Sequence, residues 1–272
     1  MIYERAPQEI AVNPEAPAKQ NILHMRNLVT SIITIIVIAL SVSADSHAQS
    51  RTYDDILLTQ SFFRDTRVAR APYGEAFYNY DNFDFLDITT AGVQLGVGID
   101  DKIEIAAGVY YINRLPDEVD GASGVADVPL YARYQFSDGP TKFSGGLFAT
   151  IPIGSEEIGE GNLNFGPFVA VRHPVSDVVA LTGTLGVDFL DTAIEDYEAS
   201  MNFGGGVIYH AARKLFVVGD IKVMSDLDYS AISGGLNYQI TKSVHLRTNL
   251  LLGLDENAPD FGLRAGVIVS PN

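Results

Sequence analysis

The chain has 272 residues, 47% of them hydrophobic and 19% charged, with 18 basic against 34 acidic residues and a formal net charge of −16. Such acidity argues against a nucleic-acid partner, because a phosphate backbone must be met by Lys and Arg. The absence of Cys excludes disulfides, thiol catalysis and cysteine-ligated metal sites.

Residues 1–24 are polar, carry Pro (APQEIAVNPEAPAK) and show no period. They read as an extension ahead of a true start at Met25. Met25 and Arg26 then introduce LVTSIITIIVIALSVSA and DSHAQS. A basic start, an apolar run and small residues at the end describe a signal peptide over residues 25–48. Ser46-x-Ala48 fits the cleavage site, and Val42-x-Ala44 is a second option. An uncleaved anchor is the alternative, but the run is at the short edge of what crosses a bilayer. Residues 49–72, with Arg51, Arg64, Arg67 and Arg70, have no strand period. They are expected to act as a plug, entering the lumen of a barrel formed by the rest of the chain.

From residue 73 to 272 the hydropathy alternates with period two, which means extended strands with two unlike faces. A first strand is expected near Glu75–Tyr80. Val93, Leu95, Val97 and Ile99 then alternate with Gln94, Gly96 and Gly98, and Ile103, Ile105 and Val109 with Glu104, Ala106 and Gly108. After Leu130–Phe136 the pattern recurs in Phe143–Ile151 and Leu163–Val171. In VVALTGTLGVDFL, Leu181 and Leu185 oppose Thr182 and Thr184. Met201 and Phe203, Leu215 and Val217, Ile232 and Leu236, Leu246 and Leu250, and Phe261 and Leu263 continue it to the end. About twelve segments of about ten residues result, the span of a tilted strand crossing a bilayer.

A soluble sandwich would bury the apolar face; a membrane barrel turns it to lipid and keeps a polar lumen. Three features select an all-β, up-and-down antiparallel transmembrane barrel. Short connections (Asp100–Lys102, Ser137–Thr141, His173–Asp177, Ala211–Lys214, Thr241–Ser243) alternate with longer ones, as in outer-membrane barrels. Ser225–Asp228 is short for an outer loop. The longer loops gather Asp and Glu, and the short turns gather Lys and Arg. Single charges on the polar face would be costly in a dry core but not in a wet lumen. Since an open sheet edge cannot face lipid, the sheet must close. Pro167 lacks a ladder N–H, so a bulge or strand end is expected there. The chain ends in VIVSPN, without a terminal aromatic residue.

The segments VQLGVGIDDKIEIAAGVYY, FSGGLFATIPIG and GEGNLNFGPFVAVRHPVSDVVALTGTLGVDF share a Gly-rich strand with an Asp-Asp-Lys turn, a Pro152-x-Gly154 strand end and a Gly161-Asn162 strand start. In these, residues 74–268 resemble the family of the MetA pathway of phenol degradation. The resemblance implies a porin-like outer-membrane barrel and uptake of apolar or aromatic compounds. It implies no catalytic residue.

The expected pore lining is Glu104, Arg133, Asn164, Asn202, Asp220, Lys222, Asn237, Arg247, Asn249 and Arg264, with Phe148 and Phe168 as an aromatic constriction. Both charge signs occur, so strong ion selectivity is not expected. The bland alternative is that these groups pair with one another and pack the lumen. Tyr110, Tyr111, Tyr209 and Tyr229 fit interfacial girdles. Gly204-Gly205-Gly206 lacks the Lys-Ser/Thr of a phosphate loop and reads as a bend or as close strand packing. His245, with Ser243 on the same face, is the best seed of a hydrolase triad, and a wet polar side chain is the simpler reading. The acidic cluster SEEIGEGN has no calcium-loop spacing and reads as a solvated tip. The expectation is a channel or transporter in a bacterial outer membrane, with lipid and a small solute as partners, and without nucleic acid, metal, cofactor or catalysis. The alternative is a structural or adhesive barrel acting through its acidic loops.

Overall fold

Alternation of small or polar with branched and aromatic residues drives thirteen strands in the computed structural model. It describes residues 56–58, 64–66, 68, 72–116, 121–137, 139–191 and 197–270. The extension and leader expected over 1–48 lie outside these, as do Arg51, Arg67 and Arg70. The strands are β1 (Tyr73–Phe83), β2 (Leu86–Gly98), β3 (Ile103–Pro116), β4 (Ala122–Val125), β5 (Val128–Gln135), β6 (Lys142–Ile151) and β7 (Asn164–Pro174). β8 (Val179–Leu190), β9 (Glu198–Ala212), β10 (Leu215–Met224), β11 (Tyr229–Gln239), β12 (Val244–Gly253) and β13 (Phe261–Val269) complete the set. The first strand is longer at both ends than its hydropathy suggests.

Strands adjacent in the ring pair antiparallel, and β1 pairs with β13 from Gly74↔Val269 to Asn82↔Phe261, which closes it. β3 meets β5 along Ile103–Ala107 and β4 along Tyr111–Arg114. Between them Ala126 and Asp127 leave the ladder, bridged by Ala126 N–H donating to Tyr110 O at 2.9 Å. β4 and β5 therefore share one position, and thirteen strands fill twelve places in the wall. The Asp127 carboxylate uses this break: it accepts from the N–H groups of Gly154 (2.8 Å), Glu160 (2.8 Å) and Gly161 (3.1 Å). That ties the 152–163 connection to the wall and buries Ile158.

Pro167 produces neither a bulge nor a strand end. β7 stays in register with β8, Phe165↔Phe189 and Phe168↔Gly186, and only the pairs at Gly166 and Pro167 drop out. The missing N–H costs one rung while the neighbouring rungs hold the strand straight. Ser225–Asp228 is the tight outer turn its length implies.

The faces separate cleanly. On β8, Leu181 and Leu185 are 50% and 45% exposed, whereas Thr182 and Thr184 between them are 6% and 4%. Leu95, Ile105, Val109, Leu130, Leu147, Phe203, Leu236, Leu246, Leu250 and Leu263 extend the same apolar belt around the ring. A belt of this extent is stable against lipid and not against water. Leu185→Arg, in the middle of β8, is expected to lower stability in lipid vesicles by about 2–4 kcal/mol. Urea unfolding of the reconstituted protein reads this, and an unchanged midpoint would mean that this face is not in hydrocarbon.

Candidate functional site

The inward rows carry the charge. Near the short-turn end, Arg133 on β5 pairs with Glu104 on β3, and Tyr73 O–H donates to the same carboxylate at 2.6 Å. Arg264 on β13 donates to Glu75 Oε2 at 2.8 Å, Gln94 Nε2 donates to it at 3.0 Å, and Arg247 Nη1 lies 3.5 Å away. Asn237 Oδ1 lies 2.6 Å from His245 Nδ1. That ring, nearest to a serine in sequence, is therefore bonded to an amide. Asp220 accepts from the Ser233 hydroxyl, which accepts from Asn249 Nδ2 at 3.1 Å. Asn202 Nδ2 donates to Asp188 at 3.2 Å, and Asn164 bridges Glu160 and the Asp191 N–H.

Residues 56–58 and 64–66 lie inside this ring. Ile56, Leu57 and Leu58 are wholly buried. Ile56 and Leu58 pack on Ile208, Phe216 and Val218, the inward apolar residues of β9 and β10, and Leu57 packs on Tyr73 and Ala106. Burying each such side chain stabilises by about 1.5–3 kcal/mol. Three wall arginines receive the segment's carbonyls: Arg172 Nη2 donates to Ile56 O (2.9 Å), Arg247 Nη2 to Leu57 O (2.8 Å) and Arg133 Nη1 to Asp65 O (3.1 Å). Its own charges are matched too. Asp65 pairs with Arg172, and Arg64 forms a two-pronged pair with Asp188 at 2.8 and 3.0 Å. Thr184 Oγ donates to Arg64 O at 2.8 Å.

Wall glycines leave room for this. A Cβ at Gly206 would come within 3.2 Å of Leu58 and 2.8 Å of the Gly219 carbonyl. At Gly186 it would meet the Arg64 guanidinium at 3.1 Å. The close packing expected of the triple glycine thus serves an internal neighbour as well as the adjoining strand.

Above the segment, toward the longer loops, the lumen widens into a cavity of about 840 Å³ with Arg64 in its lining. Its walls differ. Phe77 on β1, Tyr110 on β3, Tyr131 on β5 and Phe148 on β6 form an aromatic side. Phe77 and Tyr110 meet edge to face at 5.7 Å, and Tyr131 and Phe148 lie 6.1 Å apart. Asn164, Asp188, Asn202, Lys222 and Asn249 form a polar side. The guanidinium of Arg64 covers Phe148 at 4.3 Å, and that of Arg264 covers Phe77 at 3.7 Å. Phe148 therefore lines the cavity, whereas Phe168 is buried deeper, its ring beneath Gly146.

Two tyrosines correct the girdle expectation. Tyr110 and Tyr229 line the cavity, while Tyr111 and Tyr209 face outward at 39% and 44% exposure. Adjacent residues on a strand must point to opposite sides, so Tyr110 and Tyr111 cannot share a girdle. Sequence reasoning also passed over Ile208, Phe216 and Val218. An inward apolar residue breaks the polar-lumen rule, and only the burial of Ile56 and Leu58 against it explains its presence.

A comparison with the curated proteins gives no match. Among solved structures, the chain is similar to an outer membrane channel from Pseudomonas putida F1, with a TM-score of 0.59 and 14% identity over 76% of this chain and 97% of that one. It is similar to the KdgM porin (TM-score 0.54, 13% identity, 73% of this chain and 99% of that one). The NanC porin gives a TM-score of 0.52 and 11% identity over 73% and 100% of the two chains. At these identities the likeness is one of fold, an outer-membrane barrel. A family model matches residues 56–270, including the internal segment as well as the ring, and the chain belongs to the family described as "Putative MetA-pathway of phenol degradation".

Proposed function

We propose that the protein is an outer-membrane channel for passive passage of small hydrophobic or aromatic solutes, and that residues 56–58 and 64–66 belong to its plug. The observation that carries this is the two-sided cavity above the internal segment. Four aromatic rings face a row of amides and charges in a space of about 840 Å³, within the range of small-ligand sites. The family's link to phenol degradation points the same way, and the channel and porins that share the fold support a conducting role.

In this reading the solute enters between the longer loops and rests against Phe77, Tyr110, Tyr131 and Phe148. It leaves when the plug shifts from Arg133, Arg172 and Arg247. Those three arginines then serve the plug first and the solute second. The test is uptake of a radiolabelled small aromatic by cells whose outer leaflet resists apolar compounds. Cells making the barrel are expected to accumulate the label faster than cells without it. Equal rates, with the barrel folded in the outer membrane, would reject the reading.

A further inference from the structure

Four cationic side chains line the cavity: Arg64, Arg114, Lys222 and Arg264. Arg64 is matched by Asp188, and Arg264 by Glu75. Among the described residues the Lys222 ammonium makes no ion pair; its neighbour is the face of Tyr229, 5.7 Å from the ring centre. Arg114 belongs to the outer end of β3, whereas Lys222 projects from within β10. Its flanking partners in the sheet are Gly204 on β9 and Ala231 on β11. A hydrogen and a methyl are all these two positions offer, so neither side chain reaches the ammonium.

The ring order sets what stands opposite. Of twelve wall positions, β3 lies six from β10, half-way round, and β5 lies five away. Tyr110 and Tyr131 therefore face Lys222 across the lumen, with Phe77 and Phe148 on either side of them. The acidic groups nearest Lys222 are committed: Asp188 to Arg64 and Asn202, and Asp220 to Ser233. An anionic guest therefore finds an ammonium that, among the described residues, has no ion pair.

We infer that the cavity binds aromatic monocarboxylates, the carboxylate on Lys222 and the ring against Tyr110, Tyr131 and Phe148. This rests on the solute-channel reading and narrows its substrate class. A charge-assisted contact to Lys222 favours the anion over a neutral isostere. The aromatic wall supplies the part of the affinity that both share.

The chain contains no Trp, so a naphthalene fluorophore can be followed without protein background at its wavelengths. The full mature chain, folded in lipid nanodiscs, is titrated with 2-naphthoate and with neutral 2-naphthamide. Naphthoate is expected to bind about tenfold or more tightly, an advantage that shrinks as salt rises. Lys222→Met should lower the naphthoate-to-naphthamide affinity ratio to near one, and Lys222→Arg should keep most of it. Equal affinities in the unaltered protein, or a ratio unmoved by Lys222→Met, would overturn the inference and leave the aromatic-channel reading standing. Binding of neither probe would overturn both. Folding of each variant is checked by the heat-dependent gel shift of the closed barrel, and Lys222→Arg guards against a change that only perturbs packing.

Discussion

A chain shortened to begin at Tyr73 is expected to conduct in discrete steps several-fold larger than those of the chain that begins at residue 49. The strand ladder closes from Tyr73 to Val269 without any residue of the internal segment, so its removal breaks no wall hydrogen bond. What it removes is Ile56 and Leu58 from the apolar pocket of β9 and β10, Leu57 from Tyr73 and Ala106, and Arg64–Thr66 from the polar middle of the lumen. Water replaces the lost partners of Arg133, Arg172 and Arg247, at little cost in a lumen open at both ends. The uncovered half then holds Arg133, Arg172 and Arg247 against Glu75, Glu104 and Asp220, so the larger pore is expected to show only weak ion preference. Planar-bilayer recordings under a salt gradient read both step size and reversal potential. Steps of unchanged size from a folded, shortened barrel would remove the plug assignment.

Asp65→Ala is expected to loosen the plug while leaving the ring intact. Asp65 and Arg172 are both buried, and breaking a buried pair from one side costs about 3–5 kcal/mol, because the remaining charge has no partner. Here Arg172 keeps its bond to Ile56 O, so the guanidinium stays while one anchor of the segment is lost. The measurable outcome is more frequent opening in single-channel records and faster proteolysis ahead of Tyr73. The double variant Asp65→Leu with Arg172→Met, which removes both charges and keeps apolar volume, should recover much of the closed state. If Asp65→Ala opened no more often than the parent, the plug would be held by its other contacts, Arg64–Asp188 and the buried Ile56–Leu58 among them, and the Asp65–Arg172 pair would be incidental to gating.

The membrane barrel was legible because its rule is local. Leu181, Thr182 and Thr184 declare their faces by parity alone, and a twelve-membered ring comes from counting such segments and the turns between them. Parity also assigns Glu104, Arg133, Asp220, Lys222, Arg247 and Arg264 to one side of the sheet. It does not say whether that side is wet. Arg133, Arg172 and Arg247 look like pore charges in sequence, and in the folded chain they hold carbonyls that lie 68 to 190 residues away. No period links such distant positions.

Pro167 shows the limit from the other direction. A lone proline forecasts a bulge, but the rungs on both sides of it keep β7 in register, because strand pairing is cooperative and one missing donor is a small local loss. Parity between near neighbours was enough to give most of the strands and their two faces. That Leu58 fills the gap beside Gly206, and that Tyr110 looks across to Lys222, came only with the folded ring. It also left the Lys222 ammonium, among the described residues, beside an aromatic face and without an ion pair. Those outcomes depend on which strands lie half a ring apart, and ring closure is a property of the whole chain.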